Sequence, residues 1–274
     1  MRTPRPPIRT ALVTGGTRGI GLATGLALGR RGVRCVLTWR FGSADEAEVQ
    51  AHFEAIGAPP PIITRADVSS PDDTAALFAD LRQRLDGIDA LVLNAGGAPL
   101  ADDWRALDRR ALHQSLSYSA WPVIDHLREA ERAFGRLPRY VVAMSSTGPD
   151  DYTLGYDYMA AAKAALEVLC RYLARHLRDD DVRVNVVRSR AVRTETFDRA
   201  FGGDFAAFVA RVAPHAEAWW VSPEEVADVA VALCSGLLDG VSGQVLTVDR
   251  GGSSGDDSMN LFAAQAAAAA GATR

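Results

Sequence analysis

The sequence is short of the features that mark several large classes of protein. Cysteine is scarce, with three in 274 residues. Cys35, Cys170 and Cys234 lie far apart, each inside an apolar run, which suits small core residues and gives no disulfide framework. Positive charge is not in excess: 30 Lys and Arg stand against 34 Asp and Glu, a formal net charge of -4. Such a chain has no electrostatic footprint for nucleic acid. No apolar run approaches the ~18 residues of a membrane span. Met1–Pro7 lacks the apolar core of a signal peptide. No internal repeat and no second domain stand out, and no metal site is expected. The expectation is a cytoplasmic protein without nucleic-acid or membrane partners.

What is present is an alternation of short apolar strands and helical stretches. Hydrophobic residues make up 48% of the chain, enough for one full core. Residues 1–9 read as a disordered lead-in. Ala11-Leu12-Val13 is a buried strand, followed by a glycine turn and a helix to about Arg31. Further strands are expected at 33–39, 61–66, 88–93, 140–144, 182–187 and 244–249. Ser69-Ser70-Pro71-Asp72-Asp73 and Ser222-Pro223-Glu224-Glu225 carry helix-start signals: a hydroxyl cap, proline in the first turn and acids at the positive end. Residues 101–134 read as helical, with one long segment from Asp108 to about Phe134. Alternation with short connections predicts an α/β fold: a single Rossmann-type, doubly wound parallel sheet over 10–252, with helices on both faces. A substrate lid is expected at about 195–220, around Phe201, Phe205, Phe208, Trp219 and Trp220. Residues 253–274 read as a C-terminal tail.

In such a sheet ligands gather at the carboxyl ends of the strands. The first strand delivers Thr14-Gly15-Gly16-Thr17-Arg18-Gly19-Ile20-Gly21. Glycines there let the backbone approach a pyrophosphate, and the helix behind offers its positive end. The same three glycines also suit a tight turn without a ligand. The second strand ends in Trp39-Arg40, with no carboxylate for a free ribose 2′-hydroxyl. Arg40 and Arg18 can instead clamp a 2′-phosphate, which points to NADP(H); as surface arginines they can also simply be solvated. Lys163 sits among alanines on a long helix, an expensive place for an unpaired amine. Arg188 and Arg190 suit either an anionic ligand or a structural salt bridge.

At these residues the chain resembles the short-chain dehydrogenase/reductase family, over about 10–252. Thr14–Gly21 fits the family's TGxxxGxG loop, Asp67-Val68 its adenine-side pair, Asn94-Ala95-Gly96 its NAG motif and Ser146 its active-site serine. Val184-Asn185 and Val248-Asp249 with Gly251-Gly252 fit later strands. The resemblance implies cofactor contacts from Gly15, Thr17, Arg18, Gly19, Ile20, Gly21, Arg40, Asp67, Val68, Asn94, Ala95, Gly96, Lys163, Val192 and Thr194. It also implies a homo-oligomer, commonly a tetramer, paired through the helices at 108–134 and 156–177.

The usual catalytic signature, Tyr-x-x-x-Lys, is missing, because Met159 stands four residues before Lys163. At about 100° per residue, Tyr158 points away from Lys163, whereas Tyr156 shares its face at about 10 Å along the axis. Tyr156-x6-Lys163 resembles the enoyl-thioester reductases of the family, most of all the enoyl-acyl carrier protein reductase III and enoyl-CoA reductase branch. Two tyrosines, Tyr152 and Tyr156, precede the lysine, as there. The displaced tyrosine has a chemical reason. Hydride goes to the β-carbon, so the acid that meets the enolate oxygen sits farther from the nicotinamide. Lys163 would hold the nicotinamide ribose and lower the tyrosine's pKa; Ser146 would be a supporting donor. The family's helix asparagine is matched by Ser115, and its Pro-Gly turn after the sixth strand is replaced by Arg188-Ser189-Arg190-Ala191. The expected activity is NADPH-dependent reduction of an enoyl thioester carried by acyl carrier protein or coenzyme A, in fatty-acid or specialised-metabolite assembly. The alternatives are an atypical ketoreductase on a polyketide-like carbonyl and a non-catalytic NADP(H)-binding protein.

Overall fold

The computed structural model describes residues 6–41, 45–101, 103–194, 197 and 220–252. Seven strands form one parallel sheet: β1 (Thr10–Val13), β2 (Arg34–Trp39), β3 (Ile62–Arg65), β4 (Ala90–Leu93), β5 (Tyr140–Ser146), β6 (Arg183–Ser189) and β7 (Val245–Val248). Their order is β3-β2-β1-β4-β5-β6-β7. The chain winds outward from β1 in one direction and from β4 in the other. Between these two strands a crevice opens at their carboxyl ends.

Among the described residues, seven α-helices cover the two faces: α1 (Gly19–Gly29), α2 (Glu46–Ala55), α3 (Pro71–Arg84), α4 (Arg109–Ser119), α5 (Pro122–Phe134), α6 (Asp157–His176) and α7 (Pro223–Cys234). Most strand residues are buried, as a sheet covered on both sides requires. Leu37 and Val13 pack toward α1, α2 and α7 with Leu28, Phe53 and Val231. Leu12 and Leu91 pack on the other face, toward α3, α5 and α6, with Phe78, Leu127 and Leu166. All three cysteines are free and buried in these layers.

The helix starts follow their local chemistry. Ser70 caps α3 by accepting from Asp73 N–H. Ser222 and Glu225 form a reciprocal capping box at α7. The single long helix expected over 108–134 is instead two. Pro122 has no N–H to continue the ladder, and the chain breaks after Ser119, with Trp121 N–H turning back to Leu116 O at 2.9 Å.

His126 of α5 is fully buried, edge-on to Phe78 with ring centroids 5.8 Å apart, and its Nδ1 lies 2.9 Å from Pro122 O. Burial drives its pKa down from 6.5 to about 4, only partly opposed by the Pro122 carbonyl. The unfolded chain takes up this proton first as pH falls. Stability should therefore decline between pH ~6.5 and ~4, by about 3 kcal/mol from this group. Urea midpoints measured across that range should lose this part of their pH dependence in His126→Gln.

Candidate active site

The crevice at the β1–β4 switch is a cavity of about 990 Å³. Its floor is stitched between two loops. Thr14 Oγ1 accepts from the N–H groups of Asn94 and Ala95, each at 3.0 Å. Asn94 Nδ2 donates to the Thr14 and Gly15 carbonyls, also at 3.0 Å. A Cβ at Gly21 would stand 2.2 Å from Gly15 O and 2.6 Å from Asn94 Nδ2. Gly21 therefore lets α1 begin directly beneath the loop rather than touching a ligand itself. α1 has no side-chain cap and no acid in its first turn, which leaves its positive end to an anion. Gly15, Thr17, Arg18, Gly19 and Ile20 line the cavity above it, as do Asn94, Ala95 and Gly96.

At the far end of β2, Arg40 also lines the cavity. Its guanidinium pairs with Asp67 at 2.8 Å and lies 4.3 Å from the Phe41 ring centroid. Arg18 Nη2 donates to Phe41 O at 3.0 Å. The two arginines thus belong to one corner, tied together through Phe41. Asp67 itself lies outside the cavity lining; it holds Arg40 and accepts from the Ser69 hydroxyl at 2.7 Å. Val68 is a core residue.

The catalytic candidates stand at the other end. Lys163 is 6% exposed, and its Nζ donates to Met144 O at 2.7 Å. Gly96 lies over it: a Cβ there would be 3.1 Å from Nζ. Burial lowers the Lys163 pKa from 10.5 to about 8, against the pull of Glu167 one turn on. Tyr156 occupies the N-cap position of α6 and lines the same cavity, with Met159 between it and Lys163. Its phenol pKa is raised by burial, and the Ser146 hydroxyl opposes the shift. The lowering expected from the Lys163 charge is not what prevails; desolvation is larger. The Ser146 hydroxyl is buried beside that phenol.

Tyr158 is buried on the opposite side of α6, where its phenol oxygen accepts from Asp108 N–H at the start of α4. Tyr152 is 85% exposed and is not brought to the cavity. Val192 and Thr194 line it, with Phe197, and Phe197 stacks edge-on with Trp220 at 5.1 Å. The lid expected around Phe201, Phe205, Phe208 and Trp219 lies outside the described residues. Ser115 reaches the cavity wall, but its hydroxyl donates back to Ala111 O at 2.8 Å. Two neighbours on α4 were missed from sequence. Tyr118 lines the cavity, and Ser119 brackets Gly97, accepting from its N–H at 3.0 Å and donating to its carbonyl at 3.1 Å.

Arg188 proves to be structural. It forks onto Glu167 at 2.7 and 3.1 Å and also pairs with Asp150. Glu167 is 6% exposed and accepts from Ser145 Oγ at 2.6 Å. Its place four residues after Lys163 on one helix was the signal available in sequence. Among the described residues no group of His, Cys, Asp or Glu could hold a metal ion, and no helix is long and apolar enough to cross a membrane.

The glycine cradle and the open helix end fit a nicotinamide dinucleotide. The chain is similar to known reductases. A family model described as enoyl-(acyl carrier protein) reductase matches residues 15–253. The NADH-dependent enoyl-[acyl-carrier-protein] reductase of Neisseria meningitidis serogroup B is 29% identical over 245 residues, covering 88% of this chain and 93% of the relative. Versicolorin reductase 1 of Aspergillus parasiticus is 26% identical over 252 residues, covering 89% and 95%. In three dimensions, a substituted actinorhodin polyketide ketoreductase with NADPH superposes with a TM-score of 0.79 at 24% identity, over 89% of this chain and 97% of that one. That likeness shows a shared fold.

Proposed function

The chain belongs to the short-chain dehydrogenase/reductase family, in the group matched by the enoyl-(acyl carrier protein) reductase model, and is an oxidoreductase; we propose that it reduces the C=C bond of an enoyl thioester with NADPH. One observation carries this reading. Tyr156 and Lys163 line the same cavity, and Met159 takes the place nearer the lysine where a carbonyl-reducing tyrosine would stand.

Bound NADPH would supply the hydride that reaches the β-carbon of the substrate. The chain's own residues would do the rest. Tyr156, kept protonated by burial, would donate to the thioester oxygen as negative charge develops there, and Ser146 would steady the phenol. Lys163, charged below pH ~8, would hold the nicotinamide ribose. Val192 and Thr194 would meet the carboxamide. Activity should fall above pH ~8, as Lys163 loses its proton.

The cofactor choice rests on the Arg18–Arg40 corner and on the lack of a carboxylate at the end of β2. Losing one charge-assisted contact to a 2′-phosphate costs about 2 kcal/mol, or roughly 30-fold. Arg40→Ala should therefore raise KM for NADPH by roughly 30-fold and leave KM for NADH nearly unchanged. Equal loss with both cofactors would remove the NADP(H) assignment.

A second reading, carbonyl reduction on a polyketide-like substrate, is favoured by Ser146 beside the phenol and by the similarity to versicolorin reductase 1. Turnover of crotonyl-CoA and longer enoyl thioesters, run beside aromatic and aliphatic ketones, tests the choice. Reduction of ketones alone would overturn the enoyl assignment. The proposal extends to a homo-oligomer paired through α4, α5 and α6, where Trp121, Val168 and Tyr172 leave apolar surface exposed.

A further inference from the structure

Tyr156 lies against a glycine. A Cβ on Gly148 would stand 2.9 Å from both Cδ1 and Cε1 of the Tyr156 ring and 3.3 Å from Ala160 Cβ. The tyrosine ring therefore rests directly on the backbone of the segment after β5, and the place of that segment sets the place of the ring. The segment turns tightly: the N–H groups of Asp150 and Asp151 both donate to Thr147 O, at 3.0 and 2.9 Å. Its outer end is held by one side chain, because Asp150 pairs with Arg188. Arg188 comes from β6 and is anchored behind the segment by its two-point contact with Glu167. Glu167 is in turn held by Ser145 Oγ, one residue before Ser146. Three elements thus converge on one carboxylate: β5 through Ser145, β6 through Arg188 and α6 through Glu167 itself. The carboxylate sits one turn from Lys163, on the helix that Tyr156 begins.

We infer that the chain Glu167–Arg188–Asp150 is a strut that presses the Gly148 segment against the Tyr156 ring and so fixes the phenol relative to Lys163. Gly148, Asp150, Arg188 and Glu167 are then positioning residues. The effect on turnover rests on the proposed role of Tyr156; the effect on the ring's position does not.

The inner link is buried, so breaking it leaves an unpaired charge that can unfold the chain. The outer link offers a gentler cut, because the Asp150 side chain is 67% exposed. The experiment follows the Tyr156 signal in protein carrying ¹³C-labelled tyrosine, assigned by its loss in Tyr156→Phe, together with kcat and NADPH binding. Gly148→Ala should move the signal and lower kcat by roughly 100-fold, the scale of an ångström-sized misplacement, with the Kd for NADPH within about twofold. Asp150→Ala should move it the same way and lower kcat by roughly 10-fold. Asp150→Glu should restore both. A signal and a kcat unchanged by Asp150→Ala would overturn the strut. A signal that moves while turnover of every substrate stays at the wild-type rate would uphold the strut and remove Tyr156 as the acid.

Discussion

Tyr156→Phe should lower kcat for enoyl thioester reduction by about 10²–10⁴-fold, the usual range for loss of a positioned acid, while the Kd for NADPH stays unchanged. The substitution is local because the ring keeps its contacts. The ring lies against Gly148, and only the hydroxyl beside Ser146 is lost. Burial holds the phenol in its protonated form near neutral pH, so the group removed is a donor rather than a base. The neighbouring tyrosines supply controls. Tyr158→Phe deletes the phenol oxygen that accepts from Asp108 N–H; it should cost about 1 kcal/mol of stability and leave kcat nearly intact. Tyr152→Phe should change neither, since that side chain stands in solvent. NADPH consumption and urea midpoints on the three variants separate these effects.

Lys163→Met should abolish turnover and make the protein more stable. An ammonium in this site costs free energy: its pKa falls from 10.5 to about 8 because burial disfavours the charge. Below pH ~8 both folded and unfolded chains carry the proton, and the folded state bears the full desolvation cost of about 3 kcal/mol. As pH rises from ~8 to ~10.5, the folded chain releases the proton first and the cost fades. Methionine fills similar space without charge but leaves Met144 O without the donor now 2.7 Å away, a loss of about 1 kcal/mol. The net expectation at pH 7 is a gain of about 2 kcal/mol, or roughly 5 °C in Tm, disappearing toward pH ~10.5. A loss of stability at pH 7 would show that the lysine is better compensated than its burial indicates. A gain would show that the lysine is kept at a cost to the fold, as expected of a group retained for chemistry.

What the sequence made legible was local. The glycine loop, Asn94-Ala95-Gly96 and the strand–helix alternation write their structure within a few residues, because turn geometry and apolar periodicity act at short range. The helical period separated Tyr156 from Tyr158, and the two lie on different sides of α6. The break between α4 and α5 was also local; Pro122 marked it, and the apolar pattern running across it masked it. The remainder depends on elements far apart in the chain. Asp67 and Val68 stand where an adenine-side pair is expected, yet Asp67 holds Arg40 from the end of an adjacent strand and Val68 fills the core. Arg188 was open between ligand and salt bridge, and only the packing of α6 on β6 brings it to Glu167. The upward shift of the Tyr156 pKa likewise needs the burial that tertiary structure supplies. In each case the residue type was readable and its partner was not.

Transfer of label from the nicotinamide tests the central claim most directly. The enzyme is given an enoyl thioester, and in parallel a ketone, together with NADPH carrying two deuteriums at C4 of the nicotinamide, and the products are read by mass spectrometry and NMR. The account predicts one deuterium on the β-carbon, a proton from solvent on the α-carbon, and loss of both with Tyr156→Phe. An enoyl thioester returned without label, beside a ketone that acquires deuterium at its carbinol carbon, would contradict it.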